Sequence, residues 1–212
     1  MNWLAQNWAQ VGELAWEHLR LCLPAIALAV IIAVPIGRLS FRFGRLGGAL
    51  TSTATLLYAI PALPMLIVVP AVAGVPLRSP ANMVITLTLY GIALLVRSAA
   101  DGFASVDRAV RDSSVAIGHS PLAAFWRVDL PLALPVILAG VRVVAVSTVS
   151  LVTVGALIGV SSLGTLLTDG FQRGIFAEVL TGIVATIALA LLVDAALLLL
   201  GRALMPWRRA RA

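Results

Sequence analysis

Few side chains in this 212-residue chain suit bond-making chemistry, and they are too scattered to act together. There are two histidines, His18 and His119, and one cysteine, Cys22. Ser113, Ser114 and Ser120 have only His119 nearby in sequence, so no nucleophile–base–orienter set forms. His18 falls at the outer edge of the first apolar run and His119 in a distant polar loop, so the two are not expected to cooperate. No CxxC or Cys/His grouping exists, and none of the usual metal-ligand spacings is present. Cys22 lies in an apolar run and reads as a small core residue. The chain has no lysine, so the phosphate-binding pattern G-x-x-x-x-G-K-[ST] is impossible. The expectation is a protein that is not an enzyme, with no metal and no cofactor of its own.

More informative are charges standing in apolar surroundings. Asp194 is the one acid inside an apolar run, while Arg97 and Arg142 lie near the ends of two others. An unpaired charge in the middle of a bilayer costs roughly 2.5–3.5 kcal/mol on insertion scales. Asp194 is therefore expected to face the bundle interior and pair with Arg142 or Arg97, the three forming an intramembrane charge cluster. The alternative is a direct role in attracting a cationic substrate.

The elements that hold these residues follow from hydropathy. The sequence is 61% hydrophobic and only 11% charged, against about 25% charged in a soluble domain. That excludes a disordered chain and almost any soluble enzyme. Apolar runs at about 19–37, 50–73, 81–100, 136–160 and 179–200 each suffice for a span. Backbone groups in lipid must be satisfied within the segment, so the spans are helices. The fold class is all-α: a polytopic membrane bundle of about five helices in one domain covering 1–212. Residues 1–18, with Trp3, Trp8 and Trp16, read as an interfacial segment leading into the first span rather than a cleaved signal. Residues 161–178 read as an external loop with a short helix or as a re-entrant segment.

All 15 basic residues are arginine and the net charge is +6. The positive-inside rule accounts for this without nucleic acid. With the N-terminus outside and the C-terminus inside, ten arginines face the cytoplasm and three face outward. The second span carries Pro61, Pro64 and Pro70 in YAIPALPMLIVVPAVAG. It is expected to bend, either to line a pathway or for packing alone. Tyr58 and Tyr90 either face a cavity, where aromatic faces favour a quaternary ammonium, or serve as packing aromatics. GALIG at 155–159 offers a small-xxx-small face for close helix contact.

The longest polar interruption, 101–135, reads DGFASVDRAVRDSSVAIGHSPLAAFWRVDLPLALP. A helix over about 106–117 is expected to end at Gly118, with Ser120 as N-cap and Pro121 as the first residue of a second helix. Leu122, Phe125 and Trp126 then share one apolar face, and Pro131 and Pro135 end the helix. The ridge either docks a partner or packs against the protein's own helix ends.

This loop resembles the EAA loop of ABC importer permeases: Glu-Ala-Ala, three residues, Gly, nine residues, Ile-x-Leu-Pro. Asp112, Ser113 and Ser114 stand at the Glu-Ala-Ala positions, Gly118 at the Gly, Val128 at the Ile, and Leu130 and Pro131 at the Leu-Pro. Three further stretches, HLRLCLPAIALAVIIAVPIG, YAIPALPML and VGALIGVSSLGTLL, resemble the branch importing glycine betaine, choline and carnitine. The resemblance implies the five-span permease fold that methionine and amino-acid permeases share. It also implies a coupling helix on a cytoplasmic ATPase dimer that binds ATP and magnesium. A second permease copy or paralogue, an external substrate-binding protein and residence in a bacterial inner membrane complete what it implies. An amino-acid or other small-solute permease is the alternative, and a secondary transporter a more remote one.

Overall fold

The computed structural model describes residues 2–207. Arg208, Arg209 and Arg211, counted above among the inward-facing charges, lie outside them. Four long apolar helices, together with one pair bent through 108°, supply up to five spans. They are α1 (Asn2–Arg42), the pair α2 (Arg45–Tyr58) and α3 (Ala62–Ala73), α4 (Pro80–Ala104), the continuous run Pro121–Ile158, and α9 (Phe176–Leu204). Within the run from Pro121 lie α6 (Pro121–Ala124), a π-turn (Phe125–Asp129), α7 (Leu130–Val152) and a 3-10 turn (Thr153–Ile158). α5 (Arg108–Ala116) precedes this run and α8 (Gly164–Arg173) follows it.

The expected interfacial segment 1–18 is not a separate helix. It continues into the first span as one 41-residue helix, interrupted only at Asn7 (φ −121°, ψ 16°). The ten-residue α8 is too short to cross a membrane and folds back on α9, burying Gly164, Leu166 and Gly170.

α4 is the spine, packed between α1 and α7. Small residues make this possible. Ala25, Ala29, Ala33 and Gly37 recur every fourth position of α1 and so share one stripe. All three alanines are fully buried. A Cβ on Gly37 would come within 2.5 Å of the Ala99 Cβ, and one on Gly91 within 2.5 Å of the Ala29 Cβ. Close backbone approach is what membrane helices use in place of a hydrophobic drive. The GALIG segment approaches α4 through Gly155, where a Cβ would come within 3.0 Å of the Met83 Sδ, and not through a continuous α-helical face. Its helix tightens into the 3-10 turn and stops at Gly159, whose φ of +84° is a left-handed terminus that favours glycine.

Candidate functional site

The loop between α4 and α7 starts with Asp107, whose side chain accepts the Ala109 N–H at 2.8 Å and caps α5. The end of α5 is a paired-bond terminus: Gly118 N–H donates to Val115 at 2.9 Å and His119 N–H to Ser114 at 3.1 Å. That geometry requires the left-handed φ of +88° found at Gly118. Ser120 then caps α6 by accepting from Ala123 N–H at 3.3 Å, with Pro121 at the first helical position.

Pro131 and Pro135 do not end the helix that follows. The chain stays helical from Pro121 to Ile158 because the turn before Pro131 widens into a π-turn, in which Leu130 N–H reaches back to the Phe125 carbonyl. The wider turn gives the proline ring room and rearranges the bonds its missing N–H would break.

Asp129, at the close of this π-turn, is the anchor that the sequence reading missed. Its Oδ2 accepts from Arg38 Nη1 at 3.0 Å and its Oδ1 from Arg111 Nε at 2.8 Å. Arg111 also donates Nη1 to the Val106 carbonyl at 3.2 Å and Nη2 to the Phe103 carbonyl, closing the end of α4. The Arg38 guanidinium lies 4.0 Å from the Phe125 ring centroid, and that of Arg111 lies 4.7 Å from Phe41. Four segments, α1, α4, α5 and the π-turn, thus meet at one carboxylate. The available signal was Asp129, the one acid between Pro121 and Pro135, two residues before Pro131. Its partners are 91 and 18 residues away, beyond the reach of any local pattern.

Phe125 is turned inward by this arrangement and stacks at a tilt on Phe103, with centroids 6.1 Å apart. It does not stand on the outer ridge with Leu122 and Trp126, which are 68% and 60% exposed. Val115 and Ile117 join these two, at 67% and 74% exposed, and extend the apolar surface across both short helices. Asp112 and Ser113 are exposed, the hydroxyl of Ser113 donating to the Ala109 carbonyl at 2.8 Å. Ser114 is buried and its hydroxyl has no hydrogen-bond partner among the described residues. Leu130 is half-buried against the core and Pro131 is half-buried within the helix.

The α2–α3 break is the second notable place. Pro70 cannot donate to the Leu66 carbonyl four residues earlier, and the Ile60 carbonyl lies in the break, before the first helical bond of α3 from Met65 N–H to Pro61. α4 supplies both missing donors. The Tyr90 hydroxyl donates to the Ile60 carbonyl, and Asn82 Nδ2 donates to Leu66 at 3.0 Å and to Leu77 at 2.8 Å. Tyr58 meets Tyr90 edge-on at 5.8 Å. Tyr90 is therefore a buried packing and capping residue, whereas Tyr58 and Pro61 are exposed beside the break. Pro61 starts α3 with no side-chain cap. The N–H groups of that first turn must meet water or protein and not lipid.

Of the expected charge cluster, two members come together. Arg142 Nε and Nη2 donate to the two oxygens of Asp194 at 2.6 and 2.7 Å, a fork-to-fork pair joining α7 to α9. Arg97 is not part of it. It is exposed and lines a cavity with Ser40, Gly47 and Asp101 on the other side of α4. His18, just before the first apolar run, is not exposed to solvent. It is fully buried, with Nε2 2.9 Å from the Val149 carbonyl of α7.

The profile of the family described as binding-protein-dependent transport system inner membrane component matches residues 22–209. The chain belongs to this family. It is a multi-pass membrane permease subunit of a transport system, as its loop motif and bundle led one to expect. It is 29% identical over 209 residues to the glycine betaine/carnitine/choline transport system permease protein OpuCD of Bacillus subtilis. That match covers 98% of this chain and 90% of the relative. It is 29% identical over 212 residues to the choline transport system permease protein OpuBD of the same organism, covering 100% and 92%. Among solved structures, an inward-facing form of the MetNI methionine ABC transporter superposes with a TM-score of 0.79 at 20% identity. It covers 92% of this chain and 95% of the solved one, a likeness of fold.

Proposed function

We propose that this permease carries quaternary amine osmoprotectants such as glycine betaine, choline and carnitine, as one subunit of an ATP-driven importer. The observation that carries the substrate class is full-length similarity to permeases named for those solutes. The loop supports the coupling role. Val115, Ile117, Leu122 and Trp126 present apolar surface from two short helices braced by Asp129, a form suited to a groove on another protein.

In this reading the loop rests on a cytoplasmic ATPase dimer that binds ATP and magnesium. The N-terminus lies outside and the C-terminus inside. A second permease, identical or paralogous, completes the pathway, because five spans do not enclose one. The uncapped start of α3 and the exposed Tyr58, Pro61 and Pro64 border that pathway. An external binding protein delivers the solute, and membrane lipid surrounds the rest.

The test is ATPase activity of the reconstituted complex with its own binding protein. Glycine betaine, choline or carnitine should stimulate hydrolysis and accumulate in the vesicles. Stimulation by an amino acid and by none of these three solutes would overturn the substrate assignment.

A further inference from the structure

Next to the Asp129 anchor is a cavity of about 350 Å³ that opens to the surface between the end of α1 and the α5–α6 turn. Its lining holds three arginines, Arg38, Arg42 and Arg111, against a single carboxylate, Asp129. Arg38 and Arg111 are both committed to Asp129. Arg42 pairs with no carboxylate among the described residues, so the lining carries a surplus of positive charge. Ser114 also lines the cavity and is 4% exposed.

The depth fits a headgroup. The apolar run of α1 ends at Gly37, so Arg38 and Arg42 stand one and five residues beyond it. At 1.5 Å per residue that is roughly 2 and 8 Å, within the polar layer flanking the hydrocarbon core. Basic pockets between helices at this level suit anionic phosphate.

We propose that this cavity is a binding site for a phosphate anion, borne by a lipid headgroup or free in solution, with Arg42 as its uncommitted cation. Its assignment to the inner leaflet rests on the orientation given under Proposed function; the anion chemistry does not.

The test is lipid binding to the purified full-length chain by native mass spectrometry, with phosphatidylglycerol against phosphatidylcholine and with inorganic phosphate as competitor. Phosphatidylglycerol should bind in preference. Arg42→Gln should weaken it about fivefold, the effect of one arginine near an anionic surface. Arg42→Lys should restore most of the binding, and Arg20→Gln should leave it unchanged. Binding of inorganic phosphate with the same Arg42 dependence, and no lipid preference, would support the site with a soluble ligand. Equal binding of the two lipids with no phosphate binding would overturn the proposal, as would an Arg42→Gln chain that binds like wild type. Ile117→Cys in a Cys22→Ala background separately reports the side of the membrane. Labelling from outside would refute the orientation and leave the anion site standing.

Discussion

The stretch before Pro131 and the stretch 61–70 carry the same chemical defect, a proline without its N–H, yet one runs on as helix and the other folds through 108°. At Pro131 the helix widens by one residue and keeps going. A single proline there meets a turn already held from outside by Arg38 and Arg111 through Asp129. In the second span Pro61 and Pro64 stand within one turn of each other, and Pro61 takes an extended backbone with ψ near 144°. The residue before each proline is also pushed away from helical geometry. Two such demands in one turn exceed what widening can absorb, so the chain bends and takes its donors from α4. Prolines in membrane helices are thus governed less by their number than by which neighbours supply the missing bonds.

Removing the external hold should break that contrast most severely. Asp129→Ala leaves Arg38 and Arg111 facing each other without their shared carboxylate. About 3 kcal/mol should be lost, the low end for a broken buried pair, because the carboxylate keeps some exposure. Denaturant titration in mixed micelles measures this. An Asp129→Ala chain as stable as wild type would show that the π-turn holds itself. The donors at the bend come next. Asn82→Ala removes three hydrogen bonds from a fully buried side chain, the donations to Leu66 and Leu77 and the one accepted from Thr86, and should cost about 2 kcal/mol. Tyr90→Phe removes one hydrogen bond and should cost about 1 kcal/mol, within the range for hydrogen bonds between membrane helices. If Tyr90→Phe costs more than Asn82→Ala, the Ile60 carbonyl is the more critical of the two. The smallest change in stability belongs to the outer ridge. Trp126→Ala, at a largely exposed position, should unfold within about 0.5 kcal/mol of wild type. Coupled transport and co-purification with the ATPase should fall all the same. Full activity in that variant would separate the ridge from partner docking.

Much of this architecture was legible in the residues. The five spans follow from long apolar runs, since lipid allows few other readings of such segments. The Gly118, Ser120 and Pro121 sequence marked the α5–α6 turn because each residue has a local backbone reason to be there. The Asp194–Arg142 pair could be foreseen because a lone acid in lipid needs a partner. Which arginine it takes depended on helix rotation, which hydropathy does not encode, so Arg97 was wrongly included. Phe125 was misplaced for a related reason. Helical spacing put it with Leu122 and Trp126, but Phe103 and Arg38 draw it inward. Pro131 looked like a stop because the local rule is correct for an unsupported helix. The support comes from α1 and α5 and is written nowhere near it.

The capping of Ile60 and Leu66 by α4 also bears on how the chain is made. Synthesis runs from the N-terminus, so α2 and α3 emerge before Tyr90 and Asn82 exist to cover those two carbonyls. Until α4 arrives the bent pair has open acceptors that lipid cannot satisfy. The second span therefore depends on the third for its own integration, and a nascent chain halted before residue 82 would hold a bend with nothing to close it.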